Sequence, residues 1–599
     1  MAYSPPMAKA TTLNLLPAPR SVKLGKGIFL LPRQRPLSAI HVVRTNAAPE
    51  HPEGYTLTID RTGVTVEFRE SGGLRAATAT LRQLLREHRR RLPFLKIRDW
   101  PDFARRGVML DISRGRVPTL ATLMNLAEHL ADFKINELQL YTEHTFAYRN
   151  YPGVWHNWGA LTGKEIQQLD HRCRELGIDL VPNQNSFGHL RYFLEDPKLK
   201  KLAEISGPYE DASGEFLRRP TTLAPNHPGT LPFLRGLYDE LLPNFSSEFF
   251  NIGADETWDL GRGQSQTLCA QQGLGRVYVE FLKKVHREVS KRGKQMMLWG
   301  DILLKYPALT RELPRPVIAL NWGYESDHPF AREAETFAKA RIPFYVCPGT
   351  STWQTMVGKH DNALANLSAA AKAGKKFGAI GFLNTDWGDG GHPQPLAVSW
   401  PLYVAGAALA WNTSHFDRAK LLPVLSRDIF EDPTGKLAHA AMGLGFAHQK
   451  LGVNAVNETP LGSVIGAPEP DKRELFCRNG LKWHANIPAK KIDATLREIE
   501  RQRAILGHAK PESEVGKLLG HELDLAARMA AESCRFMQWQ QAVATGRKAV
   551  ATQLARRGIR ELKRLDRDFT RYWPMRNKAT PKHSSAFLKW RINDYQRGK

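Results

Sequence analysis

The residues best suited to chemistry lie in one short run, Asn251-Ile252-Gly253-Ala254-Asp255-Glu256-Thr257-Trp258, where an apolar stretch ends in two adjacent carboxylates and an indole. Two carboxyl groups can share acid and base work when their surroundings separate their pKa values, one staying ionised while the other keeps a proton to donate. With an aromatic ring alongside, such a pair suits hydrolysis of a sugar linkage. Spacing alone does not decide this, because adjacent acids are common in loops and at helix starts. Further polar and aromatic residues follow short apolar runs elsewhere: Asp111, Tyr141 to His144, Asn183 to His189, Trp299 with Asp301, Trp322 with Tyr324, and Trp387 with Asp389.

A fold that gathers these run ends is legible around them. Between Arg105 and about Asn412, short apolar runs alternate with amphipathic stretches, the pattern of an α/β chain closing into a (β/α)8, TIM-type barrel. The predicted strands are Gly107–Asp111, Glu137–Tyr141, Asp179–Pro182, Phe249–Ile252, Met296–Trp299, Val317–Asn321, Phe344–Cys347 and Ala379–Asn384. In such a barrel the strands' C-terminal ends meet at one face, where barrel chemistry occurs.

Residues 12–98 read as a small α+β domain. Tyr55–Ile59 and Val64–Phe68 flank a turn at Arg61-Thr62-Gly63, and Leu74 to Arg86 changes to helical spacing. The barrel is assigned to 99–415. Residues 416–599 read as helical, with Lys490 to Ala509 and Glu514 to Arg564 free of strand signals, a unit expected to brace the barrel or support a homodimer.

The charge balance is unusual, 85 Lys and Arg against 60 Asp and Glu for a net +25. The excess is densest in Arg556-Arg557, Lys563-Arg564 and Arg567, where Leu and Ile recur at helical spacing. That pattern reads as a solvated helix face rather than a specific nucleic-acid site. Five scattered cysteines, Cys173, Cys269, Cys347, Cys477 and Cys534, show no C-x-x-C or metal spacing and imply reduced thiols, hence a cytoplasmic location. Neither a signal-peptide pattern nor an apolar run of membrane-spanning length is present, so no membrane partner is expected. Walker, H-E-x-x-H and nucleophile-elbow motifs are missing, and the spacing of His144, His189 and His392 gives no support for a metal.

Several motifs together carry a family resemblance. Gly253 to Trp258 resembles the G-x-D-E-x-W signature of glycoside hydrolase family 20, the β-N-acetylhexosaminidases. Glu53-Gly54-Tyr55-Thr56-Leu57 and Gly73 to Leu85 are similar to that family's small N-terminal domain, and Asp99 to Asp111 resembles its D-x-P-x-F-x-x-R-G-x-x-L-D barrel opening. The resemblance extends from about residue 12 to 415. Tyr141 to Phe146 and Phe187 to Tyr192 look closest to the intracellular hexosaminidase D-like branch.

The resemblance implies a retaining exo-glycosidase that removes a terminal β-linked N-acetylglucosamine or N-acetylgalactosamine from a glycan or glycoconjugate, with no cofactor or metal. The nucleophile would be the substrate's own acetamido carbonyl. Glu256 matches the general acid and base, and Asp255 the residue that orients the acetamido group. Arg106 matches an arginine that grips the distal hydroxyls. His189 matches a histidine that polarises the acid, and Glu143 stands where many members carry that histidine's aspartate partner. Trp299 with Asp301 matches a W-x-D; Trp387 with Asp389 matches a W-G-D/E whose ring floors the sugar pocket and whose acid holds the outer hydroxyls.

The sequence departs from the family in two places. No Y-x-D follows Phe344 to Cys347, leaving Tyr324, beside Trp322, as candidate holder of the acetamido oxygen, and Ala254 replaces a glycine often found before the acidic pair. The missing tyrosine leaves open an exo-β-glucosaminidase acting on free-amine sugar. A catalytically silent glycan-binding protein is the other alternative, against which the retention of Asp255 and Glu256 weighs.

Overall fold

The computed structural model describes residues 13–210, 217–466 and 486–598, so Cys477 lies outside it. Near the N-terminus, β1 (Ser21–Leu30), β2 (Ile40–Arg44), β3 (Tyr55–Asp60), β4 (Gly63–Phe68) and β5 (Arg91–Asp99) form a sheet in the order β1-β5-β3-β4-β2. The expected hairpin is β3 and β4, with Tyr55 opposite Phe68 and Asp60 opposite Gly63. Period-2 alternation turns Tyr55, Leu57, Ile59, Val64 and Val66 to one buried face, which the Ser71–His88 helix covers with Ala76, Ala77, Leu81 and Leu84.

The barrel starts with β6 (Arg105–Asp111), β7 (Glu137–Tyr141) and β8 (Asp179–Val181). A loop carrying the short pair β9 (Tyr209–Glu210) and β10 (Leu217–Arg218) follows, then β11 (Phe249–Asn251), β12 (Gln295–Trp299), β13 (Val317–Trp322), β14 (Phe344–Cys347) and β15 (Gly381–Asp386). The eight longer strands are parallel in the order β11-β12-β13-β14-β15-β6-β7-β8, and a parallel bridge between Asn183 and Asn251 closes the ring. Each coincides with a run marked in the sequence to within a few residues. The outer helices recur after every strand except β12, where the short Asp301–Lys305 helix and a 3-10 segment stand instead. Inside, Met109, Val181, Met297, Ile318, Leu320 and Leu383 fill the barrel below Tyr141, Trp299 and Trp387.

The chain then forms helices Ala489–Leu506, Glu514–Ala544, Lys548–Arg576 and Lys582–Arg597. Their apolar faces merge with the barrel's in one continuous core, and the Glu514–Ala544 helix packs on the Leu396–Val398 turn that follows β15. Brace and barrel also meet beside the mouth. Thr119 N–H donates to the Arg576 carbonyl and Lys578 N–H to the Val117 carbonyl, each at 2.8 Å, and Lys578 Nζ reaches Glu165 at 2.7 Å. No described helix is long and apolar enough to cross a membrane.

Candidate active site

At the C-terminal end of β11 the chain turns sharply, with Gly253 at φ 69°, Ala254 at φ 70° and Glu256 at φ 48°. Glycine is required at 253, where a Cβ would stand 1.9 Å from Asn185 Oδ1. Ala254 adopts the same left-handed conformation without glycine's freedom, so the substitution noted in the sequence stores strain of about 1–3 kcal/mol here. The turn aims Asp255 and Glu256 into the mouth. Asp255 is buried, whereas the Glu256 side chain keeps 30% of its surface open.

His189 faces both acids. Its Nε2 lies 3.3 Å from Asp255 Oδ2 and 3.4 Å from Glu256 Oε2, and its Nδ1 lies 3.5 Å from Glu143 Oε1. The preceding Gly188 makes this approach possible, because a Cβ there would sit 2.5 Å from the Asp255 carbonyl oxygen. Burial alone would lower the His189 pKa; Asp255, Glu256 and Glu143 outweigh it and hold the imidazole protonated well above the usual histidine range. Burial raises Glu143 against the pull of Arg114 and His189. Tyr141 Oη donates to Glu143 Oε1 at 3.1 Å and accepts from Asn185 Nδ2 at 2.7 Å. His189, Asp255 and Glu256 are the one group among the described residues whose donor atoms, all within 4.8 Å, lie close enough to hold a metal ion.

Asp301, two residues past Trp299, accepts from the Glu256 backbone N–H at 3.3 Å. Burial first, then the charges of Asp255 and Glu256, push its carboxyl up to about 7. The wall is aromatic. Trp322 stacks on Tyr324 with ring centres 5.2 Å apart, Tyr324 meets Trp353 edge-on at 5.1 Å, and Trp387 lies 5.7 Å from Trp299. Trp387 also packs edge-on against Tyr141 at 4.6 Å. The indole N–H groups of Trp299 and Trp322 are buried with no protein acceptor.

Arg106 does not belong to this group. It is the second residue of β6, about 16 Å below the mouth at ~3.3 Å per residue, with a side chain 1% exposed. Its guanidinium holds Glu53 at 2.5 and 2.7 Å and the carbonyls of Phe103 and Lys134, bolting the N-terminal sheet to the barrel. The arginine at the mouth is Arg114, three residues past the end of the same strand. It bonds Asp111 Oδ2 at 2.9 Å and Glu143 Oε1 at 3.1 Å, lies 3.9 Å from Asp389, and rests over the rings of Tyr141 and Trp387. Desolvation, opposed by Arg114, lifts the Asp389 carboxyl to about 6. The strand-end rule that selected Asp111 would also have selected Arg114, since chemistry gathers at and just after a barrel strand's last residue.

Residues 103–352 match the model of the glycosyl hydrolase family 20 catalytic domain, and residues 33–100 match that family's domain 2. The chain belongs to glycosyl hydrolase family 20. Among its relatives, a beta-hexosaminidase of Vibrio furnissii is 27% identical over 363 residues, 49% of this chain and 58% of the relative. Hexosaminidase D of Homo sapiens is 24% identical over 234 residues, 38% of this chain and 46% of the relative. The chain thus spans only about half the length of these relatives. In fold, it resembles a chitobiase of Flavobacterium johnsoniae with a TM-score of 0.57 at 17% identity, covering 97% of this chain and 99% of that one. An exo beta-N-acetylglucosaminidase of Vibrio harveyi, in complex with N-acetylglucosamine, also gives 0.57 at 18% identity, covering 74% of this chain and 79% of that one.

Proposed function

We propose that the protein is a retaining exo-β-N-acetylhexosaminidase acting by substrate-assisted catalysis on a glycan with a terminal N-acetylhexosamine. The observation that carries this reading is the adjacent pair Asp255 and Glu256, presented by a strained turn and facing His189 at 3.3 and 3.4 Å inside an aromatic-walled mouth. Glu256, the more open of the two, protonates the leaving oxygen and then takes a proton from the attacking water. Asp255 receives the acetamido N–H and stabilises positive charge as the carbonyl oxygen attacks C1. His189 lends positive charge to both acids, and Glu143 fixes its ring from the other side. Trp387 floors the sugar, while Arg114 and Asp389 hold its outer hydroxyls with a charged, multi-donor fork. Trp322 and Tyr324 wall the acetamido side, with the Tyr324 hydroxyl holding the acetamido oxygen.

Four cysteines form no disulfide among the described residues, which supports work in a reducing compartment such as the cytoplasm. The test is hydrolysis of aryl β-N-acetylglucosaminide beside its 2-amino and 2-hydroxy analogues. The proposal expects cleavage of the acetamido sugar alone, with the β-anomer released first. Cleavage of the 2-amino sugar would favour the glucosaminidase instead, and binding without cleavage would favour the silent glycan-binding protein.

A further inference from the structure

The basic run near the C-terminus does not simply radiate into solvent. Helices Ala489–Leu506, Glu514–Ala544 and Lys548–Arg576 enclose a groove of about 760 Å³ lined by six arginines and three acids, with Leu496 its one apolar residue. The acids are already taken. Arg503 bonds Asp524 at 2.9 Å and Glu500 at 3.0 Å, Arg535 bonds Glu500 at 2.5 Å, and Arg528 bonds Glu561 at 2.9 Å and, beyond the groove, Asp568 at 2.8 Å. Arg535 is buried and its Nε finds no protein acceptor. Above this paired floor, Arg557, Arg560 and Arg564 are exposed on one helical stripe, and none has an ion-pair or hydrogen-bond partner among the described residues.

We propose that this groove is an anion-binding site that takes a glycan bearing sulfate or phosphate groups. Arg557 and Arg564 are separated by about 10 Å along the helix, a span that suits several anionic groups on one chain rather than a single ion. Each free guanidinium can grip a sulfate or phosphate with two parallel N–H donors. The lining holds no aromatic ring, so the groove lacks the stacking platform on which single-stranded nucleic acid binds. One leucine offers no room for an acyl chain. The choice of a glycan as the anion's carrier rests on the glycosidase reading above; the anion site itself rests on the groove alone.

The test is calorimetric titration of the full chain with a heparin-derived hexasaccharide, at about 50 and about 200 mM salt. Arg557→Gln/Arg560→Gln/Arg564→Gln is compared with Lys23→Gln/Lys26→Gln/Arg33→Gln, which removes the same charge from exposed positions in the N-terminal region. The proposal expects the groove variant to bind roughly tenfold more weakly and the other to stay within about twofold of wild type. Equal weakening in both variants, or no binding by wild type, overturns the site. A short single-stranded DNA that binds more tightly than the hexasaccharide, and is lost in the groove variant, keeps the anion site but overturns the glycan. Hydrolysis of the aryl glycoside by the groove variant stays at the wild-type rate, so failure of the glycosidase reading is scored separately.

Discussion

The two ends of the barrel treat their polar residues in opposite ways. Where the strands begin, charged groups satisfy one another. Glu137, fully buried, accepts from Arg105 at 2.8 Å, Tyr345 at 2.9 Å and Gln139 at 2.7 Å, and Arg105 also bonds Asp179 at 2.6 Å. Just outside, Arg106 holds Glu53, and Lys134 holds Asp99 at 2.9 Å. Where the strands end, Asp255 Oδ1, Asp301 Oδ1 and the indole N–H groups of Trp299 and Trp322 are buried without a protein partner. A buried polar group left open costs about 1–3 kcal/mol, and the backbone there is strained as well. The lower end is arranged for stability; the upper end keeps its polar atoms free for a ligand.

Substitutions should therefore separate the two ends. Glu256→Gln at the mouth is expected to lower kcat about 10²–10⁴-fold on substrates with poor leaving groups while leaving thermal unfolding within a degree or two, as steady-state kinetics and calorimetry can show. Its counterpart Glu137→Gln should cost about 3 kcal/mol of stability, because Arg105 loses a buried partner, and the folded fraction should keep the wild-type kcat. A similar loss of kcat in both variants would erase the contrast.

The paired arginines sharpen it. Arg114→Ala is expected to lower kcat/KM by about 30- to 1,000-fold, matching a loss of about 2–4 kcal/mol of charged hydrogen bonding to the sugar. Arg106→Ala should leave KM unchanged and lower the unfolding temperature. The reverse pattern would return the sugar-holding role to Arg106.

The pH dependence of stability tests the frustration at the mouth. The Asp301 carboxyl is raised to about 7 in the folded state, so folding takes up a proton there, and its contribution is complete at low pH and lost as pH rises towards 7. Asp301→Asn should remove that loss and raise the unfolding temperature at pH 7.5 by about 2–4 °C while lowering activity. A variant that follows the wild-type pH profile of melting would assign the charge elsewhere. Smallest is Ala254→Gly, expected to gain up to about 1 kcal/mol by relieving the left-handed alanine; a loss in calorimetry would show that the turn is not strained there.

Much of this arrangement was legible in the chain. The barrel strands are short, apolar and bounded by polar residues, so their period and ends could be read, and with them the positions of Asp255, Glu256, His189, Trp299, Asp301 and Trp387. The choice between Arg106 and Arg114 was legible too, since Arg106 lies at the start of β6 and Arg114 just past its end. What the chain alone did not show is that Arg106 is taken up by Glu53 of the N-terminal domain. The basic helix was ambiguous, since helical spacing marks an exposed face without showing what stands opposite it.

By itself, then, the sequence determined the eight strands, the acidic turn after β11 and the family, because these depend on local periodicity and on contiguous motifs. Only the tertiary structure decided that Arg106 pairs with Glu53, that Tyr324 stacks on Trp322, that Arg557, Arg560 and Arg564 edge a groove, and that Lys578 ties the brace to Glu165. Those outcomes join residues far apart in the chain, and no local pattern records the close packing that brings them together.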